Sequence, residues 1–282
     1  MMKWRRIHEE EYDKAEAFLA EREKLCVAAC ARFLNIKTSR GHVWYLGESE
    51  DEIKALLLHS HRTLFPVFDD NQRITGPRFL NRFLGKAKIH AVQGLRHDAE
   101  LLETLMENQG YFAAERMDYY LMSLDAPPIP AAFRDIKKSP AGLVLRKPVP
   151  GDEDSLFILQ SAYEKEEVIP VNSTFDPAYC RLNLRRIISS EQIIVAELDG
   201  QVVGKINTSA ESFTRFQIGG VYVRPDYRGL GIGLKMTLSL SESLLARGKG
   251  LTLFVKKRNT AAAKVYRKAG FGIFADYRIS YY

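Results

Sequence analysis

Val221-Tyr222-Val223-Arg224-Pro225-Asp226-Tyr227-Arg228-Gly229-Leu230-Gly231-Ile232-Gly233 decides the reading of this chain. Val221 and Val223 share one face of an extended run, with the β-branched bias of a strand. Pro225 cannot donate to a ladder, so the strand stops before it. Gly229, Gly231 and Gly233 carry no side chain, so their amides can approach a ligand closely. From Leu234 to Leu245 the spacing is helical, with Leu234, Leu238, Ser241 and Leu245 near one face. A strand, a bare loop and a helix start, in that order, predict an anion site. Unpaired amides and the positive end of the helix dipole both face the incoming charge. Arg228 adds a charged fork that fits phosphate oxygens. The stretch predicts a site for a phosphorylated cofactor.

The spacing narrows the choice. A dinucleotide fingerprint needs Gly-x-Gly-x-x-Gly, with an acid about 20 residues further on. Here the glycines run Gly-x-Gly-x-Gly. An ATP loop ends in Gly-Lys-Ser/Thr, whereas Gly233 is followed by Leu234-Lys235-Met236. What stands here is Arg-x-x-Gly-x-Gly at Arg228, Gly231 and Gly233. Downstream, Gly250 to Val255 reads as a buried strand and Asn259 as a helix N-cap. Ala261, Ala262 and Ala263 favour helix, and Gly270 suits its left-handed end. The pattern Asn259-x-x-Ala262-x-x-x-Tyr266-x-x-x-Gly270-Phe271 and the Arg228 loop together resemble the GNAT superfamily of acyl-CoA N-acyltransferases. A glycine turn that merely packs a helix on a sheet explains Gly231 and Gly233. It gives no reason for Arg228 or for the second helix.

The resemblance covers about residues 142–282 and implies a mixed central sheet flanked by helices. It implies acetyl-CoA as donor. Arg228, Gly229, Leu230, Gly231, Ile232 and Gly233 would take its pyrophosphate. The backbone of Val221, Tyr222 and Val223 would lie along the acyl end, and Asn259, Ala262 and Tyr266 along the thiol end. The same plan reads Gly142–Arg146 as a strand, Gly151–Asp154 as a helix start and Glu164–Asp176 as a polar loop. A helix is expected at Pro177–Ile188. Strands are expected at Gln192–Leu198, Val202–Asn207 and Phe213–Val223, the first two joined at the hairpin signal Asp199-Gly200.

At 282 residues the chain has room for two domains. Six of its eleven prolines lie from Pro127 to Pro150, and 126–141 reads as a stiff linker. Residues 1–125 are an α/β domain: helices about Glu9–Glu23 and Leu25–Leu34, strands His42–Leu46 and Ile53–Ser60, a helix His97–Asn108 and a strand Met117–Leu124. Leu46–Ser60 echoes Ala196–Ser209. Gly110-Tyr111 before Asp118-Tyr119 echoes Gly270-Phe271 before Asp276-Tyr277. The first half has no counterpart of the Arg228 loop. Two readings are open for it: a degenerate GNAT-like copy, or an unrelated regulatory or substrate domain.

Residues 1–140 hold 21 basic and 21 acidic side chains, so the net charge of +6 resides in 141–282. Lys256, Lys257, Arg258, Lys264, Arg267 and Lys268 flank the cofactor motifs, and an anionic coenzyme explains them better than nucleic acid. No nucleic-acid partner is expected. Cys26, Cys30 and Cys180 lack metal spacing, and Cys26 and Cys30, one helical turn apart, read as packed thiols. His59 and His61 lack further ligands, so no metal is expected. Neither a signal peptide nor a membrane-length apolar run is read, which predicts a cytoplasmic protein and no membrane partner.

Acyl transfer sets three tasks. An alkyl ammonium, with a pKa of about 10.4, must lose its proton. The carbonyl oxygen gains charge that needs a donor, and the resemblance assigns this to a backbone amide within Val221–Val223. The departing thiolate needs an acid, and the resemblance assigns Tyr266. The base is open. All six histidines lie at or before His97, and Phe216–Val223 contains no acid. By the topology that the resemblance implies, Glu166 and Glu167 are the nearest candidates for it and could attract a cationic amine, against the alternatives of a solvated acidic pair, a water relay or no dedicated base. A non-enzymatic acyl-CoA sensor or scaffold is the competing class. The acceptor and the oligomeric state are not specified by the residues.

Overall fold

The computed structural model describes residues 3–36, 42–49, 52–69, 83, 88–127, 139–171 and 173–282. Two compact units emerge, Met1–Leu121 with Phe274–Tyr282, and Met122–Ile273. Most of the proline-rich stretch read as a linker, 128–138, lies outside the described residues.

In the first unit β1 (Lys3–Arg6) leads through a short 3-10 turn into α1 (Tyr12–Glu21) and α2 (Glu23–Leu34). The sequence reading took the first of these as continuous from Glu9; Glu9–Glu11 is instead a separate 3-10 turn. Then come β2 (His42–Ser49), β3 (Glu52–Ser60), β4 (Thr63–Phe68), β5 (Ala91–Leu95), α3 (Arg96–Glu107) and β6 (Glu115–Leu124). Strands β1 to β4 are antiparallel neighbours, and β4 pairs β5 in parallel only at Thr63–Ala91 and Leu64–Val92. The reading missed β1, β4 and β5. They are short, and β4 is unbroken apolar apart from Thr63, so it shows no alternation. One face of this sheet buries Ala55, Leu57, Leu64, Phe68 and Val92 against Ala99, Leu102 and Met106 of α3.

The second unit runs β7 (Val144–Arg146), α4 (Glu153–Tyr163), a π-helical turn (Glu164–Val168), α5 (Pro177–Ser190), β8 (Ile193–Leu198), β9 (Gln201–Glu211) and β10 (Arg215–Val223). It continues through α6 (Ile232–Leu245), β11 (Gly250–Lys256) and α7 (Thr260–Lys268) to the start of β12 (Gly272–Tyr281). Strands β7 to β10 form an antiparallel meander, and β11 joins β10 in parallel. Asp199 and Gly200 turn the β8–β9 hairpin with φ of 50° and 76°, the left-handed pair that a tight hairpin requires. Leu156 of α4 and Leu184 and Ile187 of α5 pack on Ile193 and Val195. Asp176 caps α5 by accepting from the amides of Ala178 and Tyr179. The stretch from Glu164, expected as a loop, begins with the π turn, closed by Ile169 N to Glu164 O at 2.8 Å.

Among the described residues the units share an order of elements: strand, two helices, three antiparallel strands, a parallel strand, a helix and a last strand, with α6 standing before the parallel strand in the second unit. They also share details. The helices α3 and α7 both end on a left-handed glycine, Gly110 (φ 82°) and Gly270 (φ 96°). The next amide then bonds five residues back, Tyr111 to Met106 and Phe271 to Tyr266. The hairpins β2–β3 and β8–β9 slip register at Gly47/Glu48 and at Ala196/Glu197. The last strand is divided. Phe274–Tyr282 belongs to the first unit, where β12 pairs β5 from Tyr277–Leu95 to Tyr281–Ala91.

Candidate active site

The site starts from two adjacent glycines in β10. Between Gly219 and Tyr222 the strand carries one residue more than its partner segment Asn207–Lys205, a β-bulge with Gly220 at φ 57°. On the other side, β10 pairs β11 only from Arg215–Gly250 to Gln217–Thr252. Beyond Gln217 the parallel ladder ends while both strands continue, so the backbone of Val221, Tyr222 and Val223 has left its neighbour. Such an opening can take an extended ligand chain, because ladder groups are obligatory donors and acceptors.

After Val223 a 3-10 turn, Pro225–Tyr227, leads to Arg228. Gly229 and Gly231 then adopt φ of 81° and 77°, which side chains resist. Gly231 is the N-cap of α6, and the first helical bond runs from Lys235 N to Gly231 O at 3.0 Å. The amides of Ile232, Gly233 and Leu234 therefore have no partner within the helix, and no acidic residue sits in the first turn. A helix start of this kind can cradle an anion, and its donor set fits a pyrophosphate. Leu230 is partly exposed on the loop and Ile232 anchors it in the core.

Arg228 is tied in three ways. Its Nε donates to Val223 O at 3.0 Å, its second nitrogen to Glu166 Oε2 at 2.8 Å, and its guanidinium lies 5.2 Å from the Tyr222 ring centroid. The hydrogen bond to Glu166 holds the guanidinium above its usual range, and burial raises the Tyr222 phenol. Glu167 is engaged elsewhere. It accepts from Asn259 Nδ2 at 2.8 Å and faces Lys256 Nζ at 3.3 Å. The π turn thus holds the Arg228 loop with one carboxylate and the start of α7 with the next. The acidic pair is not simply solvated.

Asn259 does two jobs. Its Oδ1 caps α7 by accepting from Ala262 N at 3.0 Å, while its Nδ2 reaches Glu167. Ala262 is half-buried one turn before Tyr266. Tyr266 is buried, edge-on to Phe271 at 6.2 Å between centroids. Burial, with the nearby Tyr163 and Glu167, pushes its phenol well above the usual tyrosine range, so it keeps its proton.

The sequence reading missed Lys205. It stands on β9 opposite Tyr222, has no exposed surface, and donates to Asn207 Oδ1 at 3.0 Å and to Gly220 O at 2.9 Å. A lysine between apolar strand residues reads as a solvent-facing one. The available signal was the Gly219-Gly220 pair, which marks a bulge. Nearby, buried Glu164 accepts from Gln160 Nε2 at 2.8 Å and Asn183 Nδ2 at 3.3 Å.

Residues 156–271 match the Acetyltransferase (GNAT) family. No curated protein matches the chain closely enough to count as a relative. Among solved structures, a GCN5-related N-acetyltransferase from Sphaerobacter thermophilus is 21% identical with a TM-score of 0.63, over 99% of this chain and 94% of that one. A tandem GNAT protein from the clavulanic acid biosynthesis pathway is 13% identical with a TM-score of 0.63, over 99% and 98%. A GCN5-related N-acetyltransferase from Kribbella flavida is 13% identical with a TM-score of 0.58, over 91% and 95%. At these identities the likeness is one of fold. Residues 156–271 are thus similar to the acetyltransferase (GNAT) family, and the fold is the one that tandem GNAT proteins share.

Proposed function

We propose that the chain is an N-acetyltransferase that moves an acetyl group from acetyl-CoA to an amine of a small molecule or peptide. One observation carries this: the β10–β11 ladder ends at Gln217–Thr252, so that the end of β10 stands apart from β11 ahead of the Arg228 loop and the bare start of α6. Arg228 and the amides from Gly229 to Gly233 hold the pyrophosphate. The Val221–Val223 backbone lies along the acyl end, and Asn259, Ala262 and Tyr266 border the thiol. Bound acetyl-CoA supplies the thioester carbon that the amine attacks. An amide of Val221–Val223 donates to the oxygen that gains charge. Tyr266, kept protonated by burial, donates a hydrogen bond to the sulfur. Glu167 braces this site through Lys256 and Asn259, Glu166 pairs with Arg228 when no phosphate is bound, and the charge of both favours a cationic acceptor.

A second reading, an acyl-CoA-binding scaffold without turnover, has one observation in its favour. Strand β10 carries no carboxylate, and Glu166 and Glu167 are both held by partners in the cofactor site. Free thiol release from acetyl-CoA, measured against a panel of primary amines, separates the two readings. Release with at least one amine, lost in Gly231→Asp, supports transfer. Tight CoA binding with no release from any amine supports the scaffold.

Among the described residues no helix is long and apolar enough to cross a membrane. Cys26, Cys30 and Cys180 are free thiols. Both observations fit the cytoplasmic location we propose.

A further inference from the structure

The polar groups buried beneath β10 are not used by the reading above. Lys205 is the largest of the charged type, and the interior is a costly place for an ammonium. Burial pushes its pKa down to about 7, against the charge of Glu164 on the π turn, which acts to raise it. Tyr163, at the end of α4, faces it with the ring centroid 5.1 Å from Nζ. A neutral amine has two N–H groups, and two acceptors meet it: Asn207 Oδ1 and the Gly220 carbonyl. Asn207 is fixed in turn, donating Nδ2 to Thr208 O at 2.6 Å.

The bond to Gly220 has a consequence for its neighbour. The Gly220 carbonyl and the Val221 N–H belong to one planar trans peptide, in which the two groups point in opposite directions. Gly220 lies in the bulge at φ 57°, where the β9 ladder no longer dictates the orientation of that plane. Whatever holds the carbonyl therefore aims the N–H. The space around Gly220 is already taken: a Cβ there would collide with Asn207 and sit 2.8 Å from Lys205 Nζ.

We propose that Lys205 is a positioning residue for acyl transfer: by holding the Gly220 carbonyl, it aims the Val221 amide at the thioester oxygen. The inference rests on the acyl-transfer reading of this site. Lys205 acts through the peptide plane and touches neither donor nor acceptor.

Calorimetry on the full chain tests this with two ligands, CoA and a thioether ketone analogue of acetyl-CoA, which keeps the carbonyl and cannot transfer it. Wild type should bind the ketone more tightly than CoA. Lys205→Met should keep CoA affinity within about threefold and lose the preference for the ketone, because the pyrophosphate cradle is untouched. On an accepted amine, kcat should fall about 10–100-fold with little change in KM for acetyl-CoA, somewhat less than deletion of an oxyanion donor. Gly220→Ala, which disturbs the same clamp from the other side, should show the same split. It decides the matter if Lys205→Met fails to fold. A folded variant that keeps both the ketone preference and kcat overturns the inference, as does a wild type that binds CoA with no such preference. A wild type that binds no CoA overturns the acyl-transfer reading itself, and this inference with it.

Discussion

If Arg228 holds the CoA pyrophosphate as proposed, Glu166 and that phosphate compete for the same guanidinium. The Arg228–Glu166 pair is 2.8 Å long, with both side chains nearly half exposed. Pairs of that kind contribute about 0–1 kcal/mol. Glu166→Gln should therefore tighten CoA binding by about two- to fivefold, and the gain should shrink in high salt. Calorimetry at two ionic strengths checks it; weaker binding would mean that Glu166 orients Arg228 for the phosphate instead. Gly231→Asp should act in the opposite sense. It places a β-carbon at φ 77° and a negative charge on the anion cradle, so CoA affinity should fall at least about tenfold in a folded protein. Tyr266→Phe keeps the ring that packs on Phe271 and removes the hydroxyl. If that hydroxyl serves the leaving sulfur, kcat falls about 10²–10⁴-fold and KM changes little. Full turnover, with chemistry shown to be rate-limiting, would make Tyr266 a packing residue only.

At the scale of elements, β9 and β10 carry a charge-linked stability. Lys205 is fully buried with a pKa of about 7 in the folded chain, while an unfolded lysine titrates near 10.5. Between those values the unfolded state binds a proton that the native state does not, so stability rises with pH. The slope from this group is about 1.4 kcal/mol per pH unit between pH 7 and 10, flattening below 7 where both states are protonated. Denaturant midpoints of wild type and Lys205→Met at pH 7, 8 and 9 isolate it, since the hydrogen bonds lost in the variant do not vary with pH. Equal slopes would show that Lys205 stays charged when folded. The helix α7 offers a second test. Asn259→Ala removes its N-cap and the donor to Glu167, and should cost about 1–2 kcal/mol of stability.

At the scale of the whole chain, the order of elements is repeated but the chemistry is not. Only the second unit carries Arg-x-x-Gly-x-Gly, so titration should give one CoA per chain. Two equivalent sites would mean that the first unit also binds cofactor. The final strand makes a further test. Within the first unit Arg278 pairs with Asp118 at 2.8 Å, Ser280 donates to buried Glu103, and Tyr282 N bonds His90 O at 3.0 Å. Ending the chain after Ile273 should therefore abolish hydrogen-exchange protection in β5 and α3 of the N-terminal unit, far away in sequence. Unchanged protection there would show that the unit is stable without β12.

Local chemistry was enough to read the strand–glycine loop–helix order at Val221–Gly233, the capped α7, the hairpin at Asp199-Gly200 and the glycine helix end at Gly270. Each depends on dihedral preference or hydrogen bonds within a few residues, and Gly231, Asn259 and Gly270 carry those in their own side chains or lack of them. Elements at β1, β4 and β5 were not legible, since short strands take their identity from the partners they pair with. The sequence also determined that Arg-x-x-Gly-x-Gly and the Asn259 pattern stand in the second half. Only the tertiary structure decided what surrounds them. Glu166 meets Arg228 across 62 residues, Glu167 meets Asn259 across 92, and Ser280 meets Glu103 across 177. Only the tertiary structure turned Lys205 into a buried amine at the Gly220 carbonyl. Such pairings are set by which strands neighbour one another and where a bulge turns the backbone. No residue type announces them, because β9 is buried on both faces from Val203 to Thr208 and a one-residue change of register would point Lys205 away from the bulge.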